Sequence, residues 1–115
     1  MLRWFTRNWA ETDEPGDPAL ASVVVPLPLP QALEQVAADV RTLPLWRVES
    51  SDAAAGTIHA TRRTRLFRFV DDIHIRLEAV PDGTRVRARA QARLGAADFG
   101  QNRRSLIELL ALIAP

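Results

Sequence analysis

The chain of 115 residues contains no cysteine and no lysine. The first absence excludes disulfides, thiolate metal sites and cysteine nucleophiles, so the fold must rest on apolar packing. The second leaves arginine as the only strongly basic residue, in keeping with a GC-rich genome. An arginine at any one position is therefore weaker evidence of bidentate recognition than usual. No apolar run approaches the ~20 residues that span a bilayer, and the N-terminus lacks the uninterrupted apolar stretch of a signal peptide. A cytoplasmic location is the expectation. No glycine-rich phosphate loop is present. None of the four serines, Ser22, Ser50, Ser51 and Ser105, lies in a nucleophile elbow, so nucleophilic catalysis has no motif to rest on.

What is present suffices for one domain, which at this length buries roughly 65% of its unfolded surface. The net charge is only +1, but it is unevenly spread. Residues 1–61 carry four arginines against eight acids, and residues 62–93 carry nine against four. Such asymmetry points to an anionic partner or to two segments that face each other.

Residues 1–20 read as an N-terminal amphipathic arm and an acidic linker, and residues 21–115 as the α+β domain. In the arm, Leu2, Phe5 and Trp9 share a face at helical spacing. Ten residues bury too little to hold a membrane alone, so the arm is expected to pack over an edge of the domain or a second subunit. Residues 11–18, ETDEPGDP, hold no core-forming residue. Ser22 to Val25 is a short β-branched run. Pro30 suits a first helical turn, and Leu33, Val36, Ala37 and Val40 continue at helical spacing to about Arg41. A strand is expected over Leu45–Glu49, a polar turn over Ser50–Gly56 and a strand over Thr57–Arg65.

The next strand runs from about Phe67 to Ala79, with Phe67, Phe69, Ile73, Ile75 and Leu77 sharing the inward face and Asp71 on that same apolar face. Arg68, Asp72, His74, Arg76 and Glu78 point outward. Pro81-Asp82-Gly83 is a hairpin turn. The returning strand, Thr84–Leu94, alternates Val86, Ala88, Ala90, Ala92 and Leu94 inward with Arg85, Arg87, Arg89, Gln91 and Arg93 outward. Asp98 reads as the N-cap of the last helix, with Gln101 as its capping-box partner. Leu106, Ile107, Leu109, Leu110 and Ile113 form the helix's apolar stripe. The pattern predicts an α+β fold: an antiparallel sheet of four to five strands with two helices on one face, similar to a reduced helix-grip domain.

The run Phe69-Val70-Asp71-Asp72-Ile73, with Arg89, Arg93, Gly95, Asp98, Gly100, Asn102 and Arg104, resembles the family known as domain of unknown function 1499. The likeness covers Leu45 to Leu112. Ala90 and Ala92 stand where the family tends to place serines. The resemblance implies a shared fold and importance for these residues, and it brings no activity with it.

Three constellations compete for function. Arg63, Arg65, Arg85, Arg87, Arg89 and Arg93 could line an outward sheet face that binds an anionic partner: an acidic protein, anionic lipid or nucleic acid. No aromatic residue interleaves with these arginines to stack bases. A second copy of the chain or its acidic N-terminal half could instead cover them. Asp71, Asp72, Asp98, Asn102 and Arg104 form a second set. It is either a structural polar clasp or the lining of a cleft between helix and sheet for a small ligand or enzyme chemistry. Adjacent strand aspartates point to opposite faces, which favours the clasp. His59, His74 and Asp72 form the third, but the nearby arginines would repel a cation, and no metal or cofactor is expected. The leading expectation is a non-enzymatic binding module.

Overall fold

Strict alternation along two neighbouring strands sets the frame of the molecule. In β5 (Val70–Val80) from Asp71 to Leu77, and in β6 (Gly83–Ala92) from Thr84 to Ala90, every second residue is buried, so Ile73, Ile75, Leu77, Val86, Ala88 and Ala90 share one face. This is the period-two pattern of a sheet with one solvated side. The structure, a computed structural model, describes residues 7–64, 69–94 and 100–115. Its other elements are β1 (Trp9–Glu11), a 3-10 turn (Pro18–Leu20), β2 (Val23–Val25), α1 (Leu29–Arg41), β3 (Trp46–Asp52), β4 (Thr57–Arg63) and α2 (Gln101–Ile113).

The described strands make one antiparallel sheet. β3, β4, β5 and β6 follow one another, and β1 and β2 share the outer edge of β6. β1 pairs with Arg89–Gln91 and β2 with Thr84–Val86. The sheet thus has six strands rather than the expected four to five, because its last position is filled by two short strands end to end. Trp9, which helical spacing grouped with Leu2 and Phe5, begins a strand because the edge of β6 offers unpaired backbone groups. Thr12 prolongs the pairing: its N–H donates to the Ala88 carbonyl and its Oγ1 accepts from the Ala88 N–H.

Both helices lie on the apolar face, as the pattern predicts. α1 packs over β3, β4 and β5 with Leu33, Val36 and Val40. α2 packs over β6 and β1 with Leu106, Leu109 and Ile113. Ala88 and Ala90 present little bulk beneath α2. Each fully buried Leu or Ile contributes about 1.5–3 kcal/mol, so this layer contact is the main stabilising term.

Local expectations fail in four places. β3 continues through Ser50, Ser51 and Asp52, across an irregularity between Val48 and Ser50. Turn-like composition there yields to pairing with β4. Leu94, expected inward, lies beyond the end of β6 and is 76% exposed. Phe69, also expected inward, lies before the start of β5, where pairing no longer fixes its face, and is 54% exposed. Phe67 lies outside the described residues. α2 starts at Gln101 with Gly100 at the N-cap, at φ 81°, rather than with Asp98 there. Asp98, like Arg65 and Arg68, lies outside the described residues. Among the described residues no helix is long and apolar enough to cross a membrane.

Candidate functional site

With both helices on one side, the other face of the sheet carries no helix among the described residues. The register sorts its side chains into rungs that cross the strands. His59 of β4 faces His74 of β5, which faces Arg89 of β6. On the next rung Thr57 faces Arg76, which faces Arg87. One rung the other way, Thr61, Asp72 and Gln91 align. The first two rungs floor a groove of about 1270 Å³, bounded by Glu11 and Asp13 at the β6 edge and by Ser50 and Asp52 at the end of β3.

The two histidine rings stack, with centroids 4.8 Å apart and planes 9° from parallel. His59 Nε2 meets Asp72 Oδ1 at 2.7 Å. The same carboxylate accepts a fork from Arg93, with Nε at 2.8 Å and Nη2 at 3.0 Å. The Arg93 hydrogen bonds, supported by His59 and opposed by partial burial, bring the Asp72 carboxyl down to about 2. The same contact raises the Arg93 guanidinium above its ordinary value. Among the described residues no group of three or more metal-ligating side chains is disposed to hold an ion. His74 lies flat against His59 rather than turning with it toward Asp72.

A depressed carboxyl value means that the Asp72 contribution is complete above its unfolded value of about 4 and is lost as the pH falls toward 2. Asp72→Asn is expected to cost about 1 kcal/mol near pH 7, because the half-exposed Arg93 is screened by water. In urea melts at pH 7, 4, 3 and 2 the gap between wild type and Asp72→Asn should close from pH 4 downward. A gap independent of pH would show that the ion pair contributes nothing.

The other predicted arginines are held more loosely. Arg87 reaches Asp13 at 3.3 Å and Glu78 at 3.5 Å. Arg89 reaches Glu11 at 3.8 Å, and its guanidinium lies over the Trp9 ring at 4.5 Å. Arg85 donates to Ser22 Oγ at 3.2 Å. Arg63 and Arg76 form no ion pair among the described residues. The acidic N-terminal residues therefore border this face along one edge and leave its centre open.

The second predicted set divides between the two sides of the sheet. Asp71 and Asn102 are buried in the helix–sheet layer, 3% and 0% exposed, whereas Asp72 points to the open face. Asn102 donates its Nδ2 to the Asn8 carbonyl at 3.0 Å, joining α2 to the entry of β1. Arg104 donates to Gln101 on the helix surface.

Sequence reasoning missed two long-range contacts. Arg103 forks onto the buried Asp17 at 2.8 and 3.1 Å. Trp46 Nε1 donates to Glu108 at 2.8 Å, with Arg62 at 3.8 Å. Partners 86 and 62 residues apart leave no local pattern to read.

Comparison with known proteins places this geometry in a family. The model described as "Protein of unknown function (DUF1499)" matches residues 8–113, taking in β1, β2 and α1 as well as the expected stretch from Leu45 onward. No curated protein matches the chain. The chain belongs to the DUF1499 family of proteins of unknown function.

Proposed function

We propose that the domain is a non-enzymatic binding module whose open, arginine-bearing sheet face receives an anionic partner. The carrying observation is the rung on which Arg76 and Arg87 stand directly opposite each other on adjacent strands. Like charges in that position oppose strand pairing. Arg76 has no carboxylate partner among the described residues, and Arg87 has only long, exposed ones. An anion seated between them offsets the repulsion. The competing cleft between helix and sheet has no comparable support, since Asp71 and Asn102 are sealed in the core.

The test compares two triple variants of equal charge, Arg85→Ser/Arg87→Ser/Arg89→Ser and Arg41→Ser/Arg47→Ser/Arg104→Ser. The probes are an oligo-glutamate peptide, phosphatidylglycerol vesicles, single-stranded DNA and inorganic pyrophosphate. At least one probe should bind the wild type in a salt-sensitive way. The first variant should weaken that binding roughly tenfold or more, and the second much less. The first should also keep its stability within about 1 kcal/mol. Unfolding of that variant would make these arginines structural, and no salt-sensitive binding of any probe would end the reading.

A further inference from the structure

The centre of the groove differs from its ends, and the difference specifies a ligand. Five side chains that carry or can carry positive charge stand on two adjacent rungs of β4, β5 and β6: His59, His74 and Arg89 on one, Arg76 and Arg87 on the other. Side chains across neighbouring strands lie about 5 Å apart at Cβ. Successive outward residues on one strand are separated by ~7 Å. The five therefore crowd a patch only a few side chains wide. Carboxylates close both ends of the groove, Glu11 and Asp13 at the β6 edge and Asp52 at the end of β3.

That layout selects by charge and by size. A polyanion running along the groove would meet like charge at both ends, so a nucleic acid strand or an acidic segment fits poorly. A compact anion with neutral polar extensions fits well, and Ser50 and Thr57 supply hydroxyls beside the cationic centre for such extensions. The number of donors separates phosphate from carboxylate. One guanidinium fork satisfies a carboxylate, as Arg93 does for Asp72. Donors converging from three strands call for the three terminal oxygens of a phosphoryl group. Arg87 and Arg89 can turn to it, because their present ion pairs are exposed and 3.3–3.8 Å long, and such pairs hold weakly.

We infer that this groove is a site for a small phosphate ester, its phosphoryl group held by Arg76, Arg87 and Arg89 beside the His59–His74 pair and its polar remainder lying toward Ser50 and Thr57. The inference rests on the anionic-partner reading and narrows it to one ligand class.

The experiment is an NMR titration of the full chain with ribose 5-phosphate, following the ring signals of His59 and His74 and the Nε–H signals of Arg76, Arg87 and Arg89. Ribose and succinate serve as comparison ligands, and the oligo-glutamate peptide as a polyanion. Ribose 5-phosphate should shift these five residues saturably and bind at least tenfold more tightly than ribose or succinate. Arg76→Gln and, separately, His74→Gln should each weaken it severalfold or more with the spectrum otherwise native. Arg41→Gln, at the end of α1, should change it less than twofold. Equal binding of succinate, or indifference to both groove variants, overturns the phosphate site. Binding of oligo-glutamate without ribose 5-phosphate overturns it while leaving the anionic-partner reading intact. Absence of binding by either overturns the phosphate site, and the anionic-partner reading then stands or falls on the vesicle, DNA and pyrophosphate probes.

Discussion

Gly83→Ala is expected to lower the thermal midpoint by roughly 10 °C or more, the equivalent of about 3 kcal/mol in a domain of this size. Gly83 opens β6 at φ 142°, a backbone conformation that residues with a side chain rarely adopt. Space is the larger obstacle. A Cβ there would stand 2.1 Å from the Val25 carbonyl oxygen, 3.0 Å from its carbon and 3.1 Å from Pro26 Cα. All three are backbone atoms, so no rotamer change relieves the overlap, and either β2 or the β5–β6 hairpin must move. β2 is the poorly anchored partner, being three residues long. Its displacement would draw Val25 from the core and break the 2.8 Å bond from Thr84 Oγ1 to the Leu27 carbonyl. Gly16→Ala provides the comparison. Gly16 also has positive φ, at 77°, but open space surrounds its Cβ position, so its cost should be confined to about 1 kcal/mol. Equal losses in the two variants would show that the contact with β2 is not what makes position 83 demanding.

Arg103→Ala should cost about 3 kcal/mol, measured by urea denaturation near neutral pH. Arg103 lies in the first turn of α2 and forks onto Asp17, whose side chain is only 4% exposed, in the connection between β1 and β2. Hydrogen bonding to that carboxylate raises the guanidinium above its ordinary value. Removing the arginine takes two charge-assisted bonds from a buried carboxylate, a far larger loss than deleting a surface pair. Arg103→Lys retains the charge without the fork and should recover only part of the loss. Arg103→Met combined with Asp17→Leu removes both charges and should be more stable than Arg103→Ala alone. If it is less stable, the buried carboxylate is not the source of the cost. The contact matters for the fold because the same connection brings Leu20 into the core between two strands that share one edge.

The two faces of β5 and β6, the hairpin between them, the extent of α1 and the apolar stripe of α2 were legible in the chain. Each is a local periodicity, imposed by a repeat of two residues in a strand and 3.6 in a helix. The same rule placed Asp71 and Asp72 on opposite faces before any contact was known. The outward position of Arg85, Arg87, Arg89 and Arg93 followed from it as well.

Which groups those side chains meet was not legible. Ser50, Ser51 and Asp52 have the composition of a turn and became strand because β4 offered a partner. Trp9–Glu11 has no strand signature and was claimed by the free edge of β6. Arg93 settled on Asp72, Arg89 on Glu11 and Arg103 on Asp17 because strand register and helix packing brought residues remote in the chain within reach. The sequence by itself determined which residues within β5 and β6 face the core and which face the opposite side of the sheet, since that follows from backbone geometry over a few residues. Only the tertiary structure decided that the acidic N-terminal residues border the arginine face rather than cover it. That outcome depends on how β1 and β2 divide the edge of β6, a long-range pairing for which a single chain carries no local signal.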